Sequence, residues 1–189
     1  MIIKFERYLS SIARANGLGD NIEWLFYPGM LQDSWGKWWD DFGLRHAAHE
    51  GIDICFFRTC SYKARPNEIK RLNKNTNVPA MDKGIVRNIV DDFLGQSLVM
   101  AKEEVESDFP EPIFVYSHLE IRKGIVPGCR VEKEEILGQV FDTNKKLSKL
   151  FPHLHLSCIE LKEKTPLENL NWNLFSDRGK VNLINPVFI

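Results

Sequence analysis

The chain has 189 residues, which is enough for one well-buried domain with some elaboration and short for two. Apolar residues make up 43% of the chain and charged residues 27%, the usual range of soluble globular proteins. The net charge of −1, from 25 Lys and Arg against 26 Asp and Glu, gives no electrostatic reason to expect nucleic acid or an anionic membrane as a partner. No apolar run approaches the roughly 20 residues of a membrane-spanning helix, so no membrane span is predicted.

The first residues predict a short amphipathic helix and no secretory signal. Apolar residues recur at helical spacing between residues 3 and 15, and Gly17 ends the pattern. Lys4, Glu6 and Arg7 occupy the place where a signal peptide has its apolar stretch. We therefore expect a cytoplasmic protein from the chain as written, or a cell-envelope protein if a leader was trimmed.

The middle of the chain predicts a mainly β fold. Residues 20–45 carry four of the five tryptophans among Gly and Pro without a clean period, which predicts a loop-rich segment packed on the main domain. From about residue 50 onward, short runs rich in Val, Ile, Leu and Phe alternate with turn residues, which predicts a compact antiparallel sandwich or half-barrel. Residues 62–77 are predicted to be an exposed basic excursion, and residues 103–112 an acidic hairpin tip. We divide the chain into an N-terminal flank (1–45), a core (46–162), and a C-terminal loop with a terminal strand (163–189).

The four cysteines do not form a recognisable metal or redox motif. None makes a CxxC pair, and we interpret them as buried free thiols of a reducing compartment. They are Cys55, Cys60, Cys129 and Cys158.

Two of the five histidines stand in the stretch "FPHLHLSC", one residue apart. In a strand, residues i and i+2 share a face, so His153 and His155 would project together while Leu154 and Leu156 face the buried side. Taken alone, the pair fits two hydrogen-bonded surface histidines as well as half of a metal site.

Two further stretches carry residues of the same chemistry. His49 and Asp53 in "HEGID" offer an imidazole nitrogen and a carboxylate oxygen, both good zinc ligands, and Gly51 between them would let the chain bend so that the two converge. A turn-stabilising Asp beside an exposed His explains the same pattern. His118 in "FVYSHLEI" would, by strict alternation, share a face with Phe114 and Tyr116, and could be structural.

The joint count favours one site. Two histidines and one carboxylate make a three-ligand zinc centre with an open fourth position, and two further histidines remain to act on water and substrate. Glu50 could orient a ligand or be exposed to solvent, and His46 is interpreted as a bystander.

The order and spacing of five motifs resemble the lysostaphin-type (LytM-like) zinc metallopeptidases, which cut peptide cross-links of bacterial peptidoglycan. The matching segments are "HEGIDI" (49–54), "VPAMDKGIV" (78–86), "VYSHL" (115–119), "GCRVEKEEILGQV" (128–140) and "PHLHLSCIEL" (152–161). The resemblance implies one Zn²⁺ held by His49, Asp53 and His155, with His118 and His153 as the catalytic histidines. It also implies a small antiparallel β-sheet core of the LytM-like, duplicated-hybrid type, with the site in a groove across it.

The predicted function is therefore that of a zinc-dependent metalloendopeptidase acting on peptidoglycan cross-links or related peptides. A catalytically silent relative that keeps the metal site and binds or regulates a partner is the main alternative. A biotinyl- or lipoyl-like carrier domain with Lys83 near its turn is a third hypothesis, but it leaves the histidines unexplained. The sequence leaves the oligomeric state open, a monomer included.

Overall fold

The protein is built mainly from antiparallel β-strands, in a computed structural model that describes residues 4–60, 68–102, 112–146 and 149–189. The strands are β1 (Ile22–Leu25), β2 (Ile52–Ile54), β3 (Phe56–Thr59), β4 (Ile69–Arg71), β5 (Asn77–Pro79), β6 (Gly84–Asp91), β7 (Gln96–Ala101), β8 (Ile113–Ile121), β9 (Arg130–Val131), β10 (Ile136–Val140), β11 (Leu154–Leu161) and β12 (Val181–Ile184). The α-helices are α1 (Lys4–Ala15) and α2 (Trp172–Phe175), and short 3-10 helices span Pro28–Met30, Thr143–Lys146, Leu167–Asn169 and Pro186–Phe188. The prediction of a mainly β fold with a short N-terminal helix and long loops is confirmed. Residues 62–67 of the predicted basic excursion (62–77) and residues 103–111 of the acidic tip lie outside the described residues. In the described part of the excursion, residues 68–71 and 73–75 are exposed, whereas Leu72 and Thr76 are buried.

The main sheet has nine strands in the described part of the chain. Its continuous order is β12-β11-β8-β7-β6-β9, while β2 pairs with β11, and β10 pairs with both β8 and β5. A second sheet has the order β1-β3-β4. Because only Cys55 separates β2 from β3, the chain passes directly from the main sheet into the second one. The tryptophan-rich segment predicted to be loop-rich therefore begins with a strand, β1, and continues through a 3-10 helix and irregular turns.

Helix α1 forms because its apolar residues fall on one face and a glycine stops it. Phe5, Tyr8 and Ile12 are buried in the main core, which stabilises the fold by roughly 1.5–3 kcal/mol for each large apolar side chain. Gly17 adopts φ +60°, and the Leu18 amide donates to the Ala13 carbonyl at 3.0 Å, as at a glycine-terminated helix end. Among the described residues, neither helix has the length and apolar character of a membrane span.

Both faces of the main sheet are covered, and strand alternation decides which side chains go where. Leu98, Tyr116 and Leu156 point into the larger core beneath α1. Their neighbours Val99 and Val115 point to the opposite face, where they pack with α2 and the C-terminal segment. Along that second face the apolar residues give way to polar ones near one end of the strands, and this polar end holds the candidate site.

Candidate metal centre and catalytic groove

A groove of about 400 Å³ crosses the polar end of the sheet. It brings together all five histidine and aspartate residues that the sequence analysis assigned to a site. The five side chains are almost fully buried, between 2% and 5% exposed, which excludes the interpretation of His153 and His155 as surface histidines. The groove is lined by Trp39, Arg45, His49, Glu50, Asp53, Asp91, Asp92, Phe93, His118, Leu150, His153, His155 and Trp172.

Asp53 and His155 meet because their strands pair. The two residues are directly opposite in the antiparallel pairing of β2 with β11, so their side chains project from the same face. The Asp53 Oδ1 atom lies 2.9 Å from His155 Nδ1. Residues 102 positions apart in the sequence thus form one cross-strand pair.

Gly51 lets these strands approach, rather than letting the chain bend as expected. Its φ is not in the left-handed region that only glycine favours. Instead, a Cβ atom at this position would lie 2.3 Å from the Leu156 carbonyl oxygen and 2.7 Å from Ser157 Oγ. The glycine is therefore required by the close contact between this segment and β11.

His49 completes a triangle of ligand atoms. Its backbone is held by the flank, since the Asp33 amide donates to the His49 carbonyl at 2.9 Å and the His49 amide donates to the Ser34 carbonyl at 3.0 Å. Its Nε2 atom lies 3.1 Å from Asp53 Oδ1 and 3.0 Å from His155 Nδ1. The three atoms that face one another are therefore His49 Nε2, Asp53 Oδ1 and His155 Nδ1.

In each of these three side chains, the polar atom that faces away from the triangle contacts a partner of its own. His49 Nδ1–H donates to the Leu31 carbonyl at 3.0 Å, which leaves its Nε2 lone pair inward. His155 Nε2 lies 2.8 Å from Ser157 Oγ, and with the ring proton on Nε2 the Nδ1 lone pair likewise faces inward. Asp53 Oδ2 accepts from Trp38 Nε1 at 2.6 Å and lies 3.6 Å from Arg45 Nη2.

The arrangement fits a divalent metal ion. With the ring protons on the outer nitrogens, His49 Nε2, His155 Nδ1 and Asp53 Oδ1 are three acceptors 2.9–3.1 Å from one another, an arrangement that a cation between them would stabilise. For zinc bonds of about 2.0–2.1 Å in a tetrahedral arrangement, ligand atoms lie about 3.3 Å apart, close to the observed separations. Two imidazole nitrogens and a carboxylate oxygen form a donor set that suits Zn²⁺. Burial raises the pKa of Asp53, but the surrounding histidines outweigh that effect and hold the pKa well below its ordinary value.

His118 reaches the groove through a β-bulge, and the expected alternation is wrong at this point. Between β7 and β8, Leu98 pairs with Tyr116 but Gln96 pairs with Leu119, so β8 has one extra residue here. His118 takes φ +63° in this bulge. Tyr116 consequently points into the core beneath α1, while the His118 ring lies 4.9 Å from the His153 ring on the opposite side.

His153 lies immediately before β11, and within the described part of the chain its Nε2 makes no hydrogen bond. Its Nδ1–H donates to the Phe151 carbonyl at 2.8 Å, and its Nε2 lies 3.7 Å from Asp53 Oδ1, beside the metal triangle. Burial lowers the pKa of His153 to about 3, although the nearby Asp53 carboxylate opposes this shift. His153 is therefore neutral near pH 7, with its Nε2 available as an acceptor.

Several other predicted residues have positions outside this centre. His46 is exposed and is not among the groove-lining residues, in agreement with its interpretation as a bystander. Glu50 lines the groove and accepts a hydrogen bond from Ser176 Oγ at 3.2 Å.

The cysteine prediction is right for two of the four residues. Cys55 and Cys158 are buried free thiols, and burial raises the pKa of each to about 12. Cys60 is exposed and Cys129 is half-buried, so the prediction of burial is wrong for these two.

The residues that hold the histidines and Asp53 from outside are not predicted by the sequence motifs. Trp38 was grouped with the packing aromatics, yet its indole donates to Asp53. Asp92 is not among the predicted site residues, yet its Oδ1 lies 3.0 Å from His118 Nδ1. The one available signal for Asp92 was an acidic residue at a strand end, followed by "FLG".

Solved structures similar to this chain carry names that agree with the resemblance seen in the sequence. The catalytic domain of the prophage-encoded M23 protein EnpA from Enterococcus faecalis, a point mutant, is 18% identical with a TM-score of 0.43, covering 86% of this chain and 92% of its own. The LytM protein of Ruminococcus gnavus is 19% identical with a TM-score of 0.43, covering 89% of this chain and 52% of its own. Lysostaphin is 18% identical with a TM-score of 0.41, covering 74% of this chain and 50% of its own.

This chain thus spans about half the length of the latter two proteins. Neither a protein-family model nor a curated protein matches the sequence. At these identities and TM-scores the structural similarities carry no argument about activity, which depends on the side chains of the groove.

Proposed function

We infer that the protein is a zinc-dependent metalloendopeptidase that binds one Zn²⁺ per chain. The observation that carries this inference is the convergence of three inward-facing ligand atoms and two further histidines in a single groove. A structural zinc site has four protein ligands, whereas a catalytic one has three and keeps a position for water or substrate. A His-Asp-His triangle beside an open groove matches the second type.

His49, Asp53 and His155 would hold the metal ion, each through the atom that already faces the other two. Zinc, when bound, acts as a Lewis acid that activates water and polarises a carbonyl group. The hydrogen bonds to Leu31, Ser157 and Trp38 would fix the orientation of the three ligands.

His153 suits the task of accepting a proton from the attacking water. Its Nδ1–H is bound to the Phe151 carbonyl, and its Nε2 lies beside the triangle. The second task, which is to stabilise the developing oxyanion or to donate a proton to the leaving amine, falls to His118 across the groove.

The substrate that we propose is a peptide of a peptidoglycan cross-link or a related peptide. This proposal is supported by the five ordered motifs of the sequence and by a groove of about 400 Å³ that has aromatic and charged residues in its wall. Trp39 and Arg45 from the flank, Phe93 from the turn after β6, and Trp172 from α2 would contact the chain on either side of the scissile bond.

The first test measures metal and turnover together. Purified protein is expected to contain about one zinc ion per chain and to release new amino groups from peptidoglycan fragments or oligoglycine. A zinc content near zero after growth and purification in zinc-containing medium would contradict the proposal. Full zinc content without hydrolysis of any such substrate would instead favour the silent, partner-binding relative.

A further inference from the structure

The bulge that brings His118 into the groove is held by one carboxylate. The His118 backbone has φ +63°, a conformation that residues with a Cβ atom adopt only where surrounding contacts impose it. The His118 amide donates to Asp92 Oδ2 at 2.9 Å, while the His118 ring nitrogen Nδ1 lies 3.0 Å from Asp92 Oδ1. Backbone and ring of the same histidine are therefore bound by the two oxygens of the same side chain.

Asp92 is itself oriented by the turn between β6 and β7. Its Oδ1 accepts from the Leu94 amide at 2.9 Å and the Gly95 amide at 2.7 Å, and its Oδ2 accepts from Ser97 Oγ at 2.8 Å. Burial raises the pKa of Asp92, but its contacts with His118 and the backbone amides outweigh this and hold the pKa well below its ordinary value. An ionised carboxylate can only accept hydrogen bonds, so the contact at Oδ1 requires a proton on His118 Nδ1.

The hydrogen bonds around Asp92 extend through a second residue to the wall of the groove. Because the Ser97 hydroxyl has a single proton and donates it to Asp92, it must accept the hydrogen bond from Trp172 Nε1 at 3.0 Å. Trp172 is the first residue of α2, and its ring lines the groove 5.7 Å from the His155 ring. Trp172 thus donates to Ser97, Ser97 donates to Asp92, and the Asp92 carboxylate also accepts from His118.

We propose that Asp92 is a positioning residue that keeps the His118 proton on Nδ1 and turns Nε2 to the groove, and that Ser97 and Trp172 hold Asp92 in that position. The inference rests on the proposed function for its kinetic consequence, because only a reacting His118 makes its orientation matter to turnover. Its structural consequence is that Nδ1 of His118, and not Nε2, carries the ring proton, and this does not depend on zinc or on any substrate.

The experiment compares Asp92→Asn with Asp91→Asn. An asparagine at position 92 has nearly the same shape as the aspartate, but its amide group carries N–H donors that can face His118 Nδ1 and transfer the ring proton to Nε2. Asp91 also lines the groove, and Gln96 Nε2 lies 3.4 Å from its Oδ1, so Asp91→Asn removes the same charge without touching His118.

The principal measurement is nitrogen-15 spectroscopy of the imidazole rings in metal-free protein, with the His118 signals assigned by their loss in His118→Gln. Wild type and Asp91→Asn are expected to show Nδ1 protonated, whereas Asp92→Asn shifts the proton toward Nε2. The same protonated nitrogen in Asp92→Asn as in wild type would overturn the inference.

Kinetics of the zinc-loaded enzyme provide the second measurement. Asp92→Asn is expected to lower kcat by about 10–100-fold while KM and zinc content stay within about twofold, the size of effect seen when a partner that orients a functional group is lost. If the protein proves inactive on every substrate while the His118 proton still moves in Asp92→Asn, the proposed function fails and the positioning inference stands. If turnover is present and neither kcat nor the His118 proton changes, the positioning inference fails and the function stands.

Ser97→Ala covers the case in which Asp92→Asn does not fold. This substitution keeps the carboxylate and removes one of its donors together with the link to Trp172. A fall in kcat of about 2–10-fold, with a partial shift of the His118 proton, is expected from the loss of one hydrogen bond. A folded Ser97→Ala with wild-type turnover and an unchanged His118 signal would remove Ser97 and Trp172 from the proposal.

Discussion

The His49–Asp53–His155 triangle and the His118–His153 pair share one groove, but different kinds of structure position them. In the triangle, Asp53 and His155 are opposite members of a regular strand pair, and Gly51 sets how closely the chain before β2 lies against β11. In the pair, His118 lies in a β-bulge and His153 lies just before β11 begins. Regular pairing thus places two of the three atoms suited to holding a metal, and contacts with the flank place the third, on His49. Local irregularities place the atoms suited to moving protons.

Because of this difference, we expect the triangle and the histidine pair to control different properties of the protein. The Asp53–His155 distance depends on strand register, which many backbone hydrogen bonds share, and His49 is held by backbone hydrogen bonds to Asp33 and Ser34. The triangle is therefore expected to form before any substrate arrives. Each member of the pair depends on one or two individual hydrogen bonds, to the Phe151 carbonyl and to Asp92. Substitutions in the triangle should therefore change metal binding, and substitutions in the pair should change turnover with the metal retained.

The largest effect is expected from His155→Ala. Loss of one of three ligand atoms should lower zinc affinity by more than the about 100-fold that loss of an orienting partner costs, and hydrolysis should fall to background. Zinc per chain after dialysis and the rate of amine release measure the two effects, and circular dichroism checks the fold. Wild-type zinc content in a folded His155→Ala would break the comparison, because the triangle would then not be the metal site.

His153→Ala should separate turnover from metal binding. Removal of the proton acceptor is expected to lower kcat by about 10²–10⁴-fold, while zinc content stays at the wild-type value. His46→Ala is the matched control, since it removes an exposed imidazole that does not line the groove. Unchanged hydrolysis in His153→Ala would show that the pair has no catalytic part.

Removal of the metal should destabilise only proteins whose triangle is intact. With free zinc at about 100 times its dissociation constant, binding stabilises the folded state by about 2.7 kcal/mol, and a chelator removes that contribution. Wild type and His153→Ala are expected to lose this stability in urea unfolding with chelator, and His155→Ala to lose almost none. An equal response of all three proteins would mean that the chelator acts elsewhere on the fold.

The elements of the fold could be predicted from sequence because their signals are local. The spacing of Phe5, Leu9 and Ile12 predicts α1, and alternating runs of β-branched and aromatic residues predict the longer strands of the main sheet. The site residues were predicted through the order of five motifs. Strand pairing itself, such as Asp53 opposite His155, joins positions that no local pattern connects.

What the sequence did not reveal lies where the chain departs from regular geometry or where a partner is distant. A β-bulge of one residue reverses the face on which His118 lies, and alternation alone predicts the wrong side. Gly51 was recognised as special for its conformational freedom, whereas the structure requires it for the distance to the Leu156 carbonyl. Trp38 resembles any packing aromatic in the sequence, because only the folded flank brings its indole to Asp53.

Trp38→Phe is expected to give the smallest of these effects. It tests whether the flank orients a residue of the metal-binding triangle. The substitution keeps an aromatic ring beside His153 but removes the N–H that donates to Asp53 Oδ2 at 2.6 Å. Zinc affinity is expected to fall by about 10–100-fold, with a smaller change in kcat at saturating zinc, because Asp53 loses an orienting partner and not its inward oxygen. Competition against a zinc chelator of known affinity measures the change.

Trp35→Phe is the control for that measurement, since Trp35 belongs to the same flank and is 57% exposed. Equal zinc affinity of the two variants would mean that the indole of Trp38 does not orient Asp53. Arg45, whose Nη2 lies 3.6 Å from the same Oδ2, would then be the remaining residue of the flank that contacts this oxygen. A loss confined to Trp38→Phe would instead make the tryptophan-rich flank part of the metal half, so that folding of the flank and metal binding stabilise each other.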